Sequence, residues 1–268
     1  MYVAKRVKPK VLLATLFLAM KVCAPTEFDQ QKLLRICYYL NGTKHQGITF
    51  SAAASTRIYA SIDASHNIHA DAKGHSGIAI RLGERNAPIF IQSKKQTCVS
   101  QSSAQTELIA LNEGAMLIMW IRQLLDDLEI APDQNAPAAI AEQDNMSTMS
   151  LANNGYRNSG RTKHLSVKYF YIKERIDAGD IILVHVPTGE MTSDLLTKPV
   201  CGSPFTYLLA KLINLSDQSV LIDSKALVLS CLHAYGIIQD IPEHLVCRGV
   251  LDKPVRHVTV CSRINTNA

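Results

Sequence analysis

The chain has 268 residues, of which 47% are hydrophobic and 19% charged, and its formal net charge is +5. These values exclude an intrinsically disordered chain, because the apolar content suffices to bury a core, and the length allows one or two domains. The basic balance suits a polyanionic partner such as a nucleic acid.

The cysteine usage and the N-terminus indicate the compartment. Seven cysteines are scattered without a C-x-x-C motif, which is typical of free thiols in a reducing environment. The basic start and the apolar run at 11–20 are similar to a secretory signal, but Lys21 interrupts the run and Pro25 would follow the cleavage site. The run is too short to span a bilayer. We therefore expect an intracellular protein, in cytoplasm or nucleus, that is neither secreted nor bound to a membrane.

The first half of the chain predicts two helices followed by three strands. Helices are expected over 11–22 and 27–41, because Pro25 separates the two segments and Asn41-Gly42 is a C-terminal stop signal. Stretches of period-2 alternation follow. They lie at 58–63, 77–82 and 88–92, with the turn-rich segments KGHS and GERN between them. Three short consecutive strands predict an antiparallel meander.

A long helix is predicted next. Ser102 and Gln105 form an S-x-x-Q capping box, and apolar residues recur at helical spacing to Leu128, before Pro132 ends the helix. A strand at 138–142, helices at 146–153 and 162–178, a fifth strand in IILVHV and a short helix in PTGEMTSDLLTKP complete the elements. This order fits an α/β fold with a mixed sheet flanked by helices.

Four carboxylates stand at comparable positions along these elements. Asp63 ends the first strand, and Glu107 lies in the opening turns of the long helix. Asp144 follows the fourth strand, and Asp194 follows the fifth. One such acid would as readily be a strand end that meets water, but four converging acids would repel unless cations lay between them. Oxygen ligands without cysteine or imidazole suit Mg²⁺, and two such ions can hydrolyse a phosphodiester. The pattern favours a nuclease site.

Five segments of the chain carry a second signal, in a fixed order. They are IYASIDASHNIHADAKGHSGIAIRLG, SKKQTCVSQSSAQTELIALNEG, EQDNMSTMSLANNG, RTKHLSVKYFYIKERIDAGDI and VPTGEMTSDLLTKPV. Over about 56–214 they resemble the successive blocks of the ribonuclease H domain of Ty1/copia-type retrotransposon Pol polyproteins. Residues 1–50, with AKRVKPKVLLATLFLAM and LLRICYYLNGTKHQGI, resemble the end of the reverse transcriptase that precedes this domain.

The resemblance implies a ribonuclease H-like mixed five-stranded sheet at 51–214, preceded by a small helical remnant at 1–50 and followed by a tail of unknown structure at 215–268. It implies hydrolysis of the RNA strand of RNA–DNA hybrids with two Mg²⁺ ions, for which Mn²⁺ can substitute, and no small-molecule cofactor. The implied metal ligands and catalytic residues are Asp63, Glu107, Asp144 and Asp194. In that scheme Asp63 bridges both ions, Glu107 and Asp144 hold one, and Asp194 completes the second.

The chain departs from the family pattern at several points. Gln105 replaces the first acid of the frequent T-E-A-E motif, DASHN carries no second acid after Asp63, and VPTGEMTSD carries no histidine ahead of Asp194. Water activation or product release would have to proceed without that histidine. The sequence has no Y-x-D-D motif, and Asp126-Asp127 fit a solvated helix end, so polymerase activity is not expected.

Several basic residues are candidates for other roles. Arg161, Lys163 and His164 at a helix start are predicted phosphate contacts, with a structural role as the alternative. Lys94 and Lys95 are predicted to meet the hybrid backbone unless they form a charged turn. Three histidines that follow the first strand, His66, His69 and His75, are expected to be surface residues. The H-x₂-C and H-x₃-C spacings at 244–247 and 257–261 are atypical for zinc, and no zinc site is expected there.

Three functions remain open at this point. The first is a Mg²⁺-dependent ribonuclease H, which retention of all four acids favours. The second is a catalytically inactive, nucleic-acid-binding remnant of a decayed retroelement, which the incomplete reverse transcriptase and the unmatched tail favour. The third is a nuclease or resolvase that acts on DNA, against which the five sequence blocks argue.

Overall fold

A computed structural model describes residues 1–51, 55–130, 138–154 and 163–215, with the side chains of 154 and 163–166 excepted. All of these belong to the first of two compact units, Met1–Leu227; the second, Val228–Ala268, lies outside the described residues, as do the histidines and cysteines of the tail. The domain boundaries expected at 50 and 214 stay a prediction.

A mixed sheet of five strands forms the centre of the described part. The strands are β1 (Ile58–Ser65), β2 (Lys73–Leu82), β3 (Pro88–Val99), β4 (Ala139–Gln143) and β5 (Ile181–His185). Their order in the sheet is β3-β2-β1-β4-β5. β1, β2 and β3 pair antiparallel, as the predicted meander requires, whereas β4 pairs parallel with both β1 and β5. The expected mixed sheet flanked by helices is confirmed.

Helices precede the sheet and cover both of its faces. They are α1 (Tyr2–Arg6), α2 (Leu12–Ala19), α3 (Glu27–Gly42), α4 (Ser103–Asp127), α5 (Met146–Asn154), α6 (Lys163–Asp177), α7 (Asp194–Thr197) and α8 (Gly202–Ile213), with single 3₁₀ turns at Pro9–Val11 and Thr188–Glu190. The helical segment expected before the sheet is therefore present. α8 was not among the predicted elements.

Two apolar clusters lie on opposite faces of the sheet, because alternate residues of a strand point to opposite sides. On one face, Ile62 of β1 and Ile78 of β2 pack with Leu111 of α4. On the other face, Ala79 of β2 packs with a set of residues from the N-terminal helices, α7 and α8. The members of that set include Leu12, Leu195, Leu196, Leu208 and Leu212. The residues before the sheet thus share a core with the elements that follow it.

The start of α4 differs in one detail from the predicted capping box. The Ser102 hydroxyl accepts a hydrogen bond from the Gln105 N–H at 3.3 Å, as expected. The Gln105 side chain, however, accepts from the N–H of Gln101 at 2.8 Å and not from that of Ser102. The serine cap is present, but the reciprocal half of the box is shifted by one residue. α4 is long and apolar enough to cross a membrane by length and composition alone, yet more than half of its apolar stretch is buried within the fold.

The prediction that His69 and His75 are surface residues is wrong. His75 is completely buried and His69 is 8% exposed, whereas His66 is exposed as expected. The reason is that β2 begins at Lys73, ahead of its apolar stretch, and that Phe17 of α2 stacks on both imidazole rings. An aromatic residue distant in sequence thus covers a segment that reads locally as a polar loop.

Candidate metal centre

Three of the four predicted carboxylates meet at one edge of the sheet. Asp63 lies near the end of β1, and Asp144 directly follows β4, so the parallel pairing of these neighbouring strands brings the two together. Glu107 projects from the second turn of α4, which packs on β1. Each residue offers one oxygen atom, and these atoms all lie within 4.8 Å of one another. Sequence-distant acids are therefore gathered into one cluster.

The close approach of α4 to β1 depends on Gly114. A Cβ atom at that position would lie 2.3 Å from Cδ1 of Ile62, one residue before Asp63 on the buried strand. Because Gly114 has no side chain, the helix can lie close enough to the strand for Glu107 to reach the carboxylate of Asp63.

Burial makes the charge on this cluster costly. Asp63 is fully buried and Glu107 is 6% exposed. Burial, together with the neighbouring carboxylates of Asp63 and Asp144, raises the pKa of Glu107 to about 9. Buried carboxylates this close together cannot all ionise without a cation between them. The donor set therefore fits a hard divalent cation, which prefers carboxylate oxygens.

Hydrogen bonds position two of these acids. The side-chain amide of Gln143, the last residue of β4, donates to Oε2 of Glu107 at 3.3 Å. The hydroxyl of Thr188 donates to Oδ2 of Asp144 at 2.8 Å. Both donors are neutral, so they orient the carboxylates without removing the charge that would attract a cation.

The fourth acid, Asp194, joins the cluster through a lysine. Nζ of Lys198 lies 2.9 Å from Oδ1 of Asp194 and 3.1 Å from Oδ1 of Asp63. Burial and the charge of Asp63 raise the pKa of Asp194 to about 6, even though Lys198 lowers it. Burial by itself lowers the pKa of Lys198, but the charges of Asp63 and Asp194 outweigh it and raise this pKa above its ordinary value. One ammonium group is thus shared between two carboxylates.

The other oxygen of Asp63 also has a partner. The hydroxyl of Thr197 donates to Oδ2 of Asp63. Farther along the same face of β1, the hydroxyls of Ser61 and Ser193 lie 3.0 Å apart, and Ser65 donates to the Thr197 carbonyl at 3.1 Å. This row of hydroxyl contacts attaches α7 to β1 and thereby places Asp194 beside Asp63.

Sequence reasoning missed Lys198, Thr197 and Gln143. The first two stand in the block VPTGEMTSDLLTKPV, and Lys198 follows Asp194 by one helical turn, the spacing at which a lysine pairs with an acid. That spacing signalled a local ion pair. It did not signal the second contact, which reaches across the fold to Asp63.

The predicted substrate residues have separate environments. Lys94 and Lys95 lie within β3, not in a turn, and they pair with Glu113 at 3.6 Å and Asp71 at 2.8 Å. Arg161 lies outside the described residues. Lys163 and His164 begin α6, but their side chains are likewise outside the described part. A role of these five residues in substrate binding stays a prediction.

Comparison with known proteins identifies relatives by sequence. The chain is 30% identical over 206 residues to the retrovirus-related Pol polyprotein from transposon RE1 of Arabidopsis thaliana, a match that covers 76% of this chain and 14% of that protein. It is 31% identical over 114 residues to the corresponding polyprotein from transposon TNT 1-94 of Nicotiana tabacum, which covers 42% of this chain and 8% of that protein. The chain thus spans a small part of the curated relatives that it matches. No protein family model matches it.

Among solved structures, RNase H1 from the halophilic archaeon Halobacterium salinarum is similar over 53% of this chain and 94% of its own, with 14% identity and a TM-score of 0.37. A TM-score this low does not support a relationship, so the family resemblance rests on the sequence relatives. They confirm the resemblance that the five sequence blocks indicate: this chain is similar to one segment of the retrovirus-related Pol polyproteins of copia-like transposons.

Proposed function

We propose that this chain is a Mg²⁺-dependent ribonuclease H that hydrolyses the RNA strand of RNA–DNA hybrids. The observation that carries the proposal is the meeting of three carboxylates, Asp63, Glu107 and Asp144, within 4.8 Å of one another at the edge of the sheet. The order of the five sequence blocks and the Pol polyprotein relatives support the same function.

The proposed roles are those that the family resemblance implies, and hydrogen bonds of the site support the orientation of two of the acids. Asp63, Glu107 and Asp144 would hold one Mg²⁺, and Asp63 with Asp194 would hold a second, with Mn²⁺ as a substitute. When bound, such ions activate a water molecule and stabilise the leaving oxygen of a phosphodiester. Thr197 orients Asp63, and Gln143 orients Glu107. The buried position of Asp63 and Glu107 limits their contact with bulk water, which strengthens their attraction for a cation.

The proposed substrate accounts for the basic character of the chain. A net charge of +5 favours binding to the phosphate backbone, and contacts to 2′-hydroxyl groups would distinguish RNA from DNA. The proposed phosphate contacts are Lys94, Lys95, Arg161, Lys163 and His164.

The test is cleavage of a hybrid labelled on its RNA strand. Wild-type protein should cut the RNA only with Mg²⁺ or Mn²⁺, and Asp63→Asn should lower the cleavage rate by roughly 100-fold or more, because it removes a ligand from the centre. Binding of the hybrid should survive that change. Asp127→Asn is the matched control, since Asp127 ends α4 at the exposed surface and should leave the rate unchanged.

Two other outcomes would replace the proposal. If wild-type protein binds the hybrid but never cuts it in either metal, the chain is a nucleic-acid-binding protein without catalysis. If it cuts duplex DNA that contains no RNA, it is a DNA nuclease.

A further inference from the structure

We propose that Lys198 is a built-in competitor for the second metal position, so that the centre binds one divalent ion readily and a second only when the ammonium group leaves Asp63 and Asp194. This inference rests on the proposed function for the identity of the centre, but it concerns cation binding and not hydrolysis.

The first step is that Lys198 contacts the two oxygens which a second ion would need. Its Nζ lies 3.1 Å from Oδ1 of Asp63 and 2.9 Å from Oδ1 of Asp194. Oδ2 of Asp63 already accepts a hydrogen bond from Thr197. An ion that bridges Asp63 and Asp194 therefore competes with the ammonium group for Oδ1 of both residues and meets its positive charge at close range.

The second step concerns why the ammonium group is there. The side chain of Asp63 is fully buried and that of Asp194 is 7% exposed, so water cannot solvate their charges. A buried carboxylate without a cationic partner is strongly destabilising. Lys198 supplies that partner in the metal-free protein. Its ammonium group stabilises the same carboxylate charges that a bound metal ion would neutralise.

The third step is that the competitor can leave. The side chain of Lys198 is 38% exposed, and the residue lies just after α7, so its long stem can turn toward solvent without moving the helix. Among the described residues, Glu107 and Asp144 accept side-chain hydrogen bonds from the neutral donors Gln143 and Thr188. Lys198 thus occupies the part of the cluster formed by Asp63 and Asp194, and it leaves Glu107 and Asp144 available to a cation.

Isothermal titration calorimetry of the full chain with Mn²⁺, without nucleic acid, tests whether Lys198 competes with the second ion. Wild-type protein should bind one ion at concentrations where Lys198→Met binds two, and the second ion should bind the variant at least ~10-fold more tightly, because a competing charge within about 3 Å has been removed. Lys211→Met is the matched control: Lys211 is also 38% exposed and pairs with Glu190 at 3.3 Å. It should bind Mn²⁺ like the wild type.

A second measurement needs no variant. Acylation of lysine amines by a water-soluble ester, read by mass spectrometry, should modify Lys198 slowly in the metal-free protein and faster as Mn²⁺ reaches the concentration of the second binding event. Lys211 should show no change. This measurement decides the question if Lys198→Met fails to fold.

Equal stoichiometry and affinity in the wild type and Lys198→Met, or acylation of Lys198 that does not respond to Mn²⁺, would overturn the inference. If Lys198 competes with Mn²⁺ but the protein does not cleave RNA, the inference about Lys198 holds and the proposed function is wrong. If the protein cleaves RNA but Lys198 does not affect Mn²⁺ binding, the proposed function holds and the inference about Lys198 is wrong.

Discussion

At the scale of single residues, the histidines beside β2 form a chain of hydrogen bonds. Nε2 of His69 lies 3.1 Å from Nδ1 of His75, and Nε2 of His75 lies 2.7 Å from Oγ of Ser93. The Ser93 hydroxyl donates to the Leu196 carbonyl at 2.7 Å, so it accepts from His75. Nδ1 of His75 must then accept from His69, so a further proton on His75 would face the N–H of His69 and break this hydrogen bond. Burial lowers the pKa of His75 to about 4, with a smaller contribution from His69.

This arrangement predicts that His75 contributes less to stability in mild acid than at neutral pH. The pKa of His75 is about 4 when folded and 6.5 when exposed, so the unfolded chain binds the extra proton first. The contribution of His75 to the free energy of unfolding should be fully retained above pH 6.5 and fall by roughly 1–3 kcal/mol as the pH drops toward 4, whereas the raised pKa values of Glu107 and Asp194 act in the opposite direction. Urea unfolding at a series of pH values measures it. The difference in the free energy of unfolding between the wild type and His75→Gln should become smaller by that amount between pH 6.5 and 4, whereas His45→Gln, at an exposed histidine, should follow the wild type at every pH. Parallel curves for His75→Gln and the wild type would contradict the prediction.

At the scale of elements, the position of α7 decides whether Asp194 belongs to the centre. α7 is only four residues long, so its own hydrogen bonds cannot hold it as a helix. It is held by its contacts to β1 and by its close approach to β2 at Gly77, the cross-strand partner of Asp63. A Cβ at Gly77 would lie 2.6 Å from Cγ2 of Thr197 and 3.0 Å from the Ser193 carbonyl oxygen.

Gly77→Ala should therefore push α7 off the sheet. We expect a loss of about 1–3 kcal/mol in the free energy of unfolding, because backbone and a buried side chain must shift. We also expect a fall of about 100-fold in hybrid cleavage, because Asp194 and Lys198 move with the helix. Denaturant unfolding and the cleavage assay measure the two effects. Gly47→Ala is the control, since a Cβ there meets nothing within 4 Å. Full activity in Gly77→Ala would contradict the prediction, because it would show that α7 accommodates a Cβ atom without moving Asp194.

At the scale of the whole described unit, residues before the sheet and after it share one core. Leu12 of α2 is fully buried in the cluster that contains Leu195 and Leu196 of α7 and Leu208 of α8. The N-terminal helices thus stabilise the face of the sheet to which Asp194 is attached.

Leu12→Ala should therefore destabilise the whole unit, not the N-terminal helices alone. We expect a loss of about 2–5 kcal/mol, as for other large-to-small changes in a core. Far-ultraviolet circular dichroism during thermal unfolding should show one transition at a lower temperature. Leu33→Ala on α3, where the side chain is 53% exposed, should change little. Two separate transitions, with only the first shifted, would show that the helices fold independently of the sheet.

The sequence predicted the elements and the acids for the same physical reason, since both depend on local pattern. Period-2 alternation placed Asp63 at a strand end, and helical periodicity placed Glu107 near a helix start. The clustering of Asp63, Glu107 and Asp144 then followed from the geometry of an open sheet. Local pattern could not show that Lys198 reaches Asp63 or that Phe17 covers His75, because these contacts join segments distant in the chain and depend on how the layers pack.

The long-range nature of the Asp63–Lys198 contact has a consequence for synthesis. The two residues are separated by 135 positions, whereas Glu107 and Gln143 are separated by 36. As the polypeptide leaves the ribosome, the three-acid cluster can assemble once Asp144 has emerged, before α7 has left the exit tunnel. During that interval the nascent chain presents the three-acid cluster without the ammonium group of Lys198. Divalent ions in the surrounding fluid would be the first partners available to it, and Lys198 would arrive afterwards.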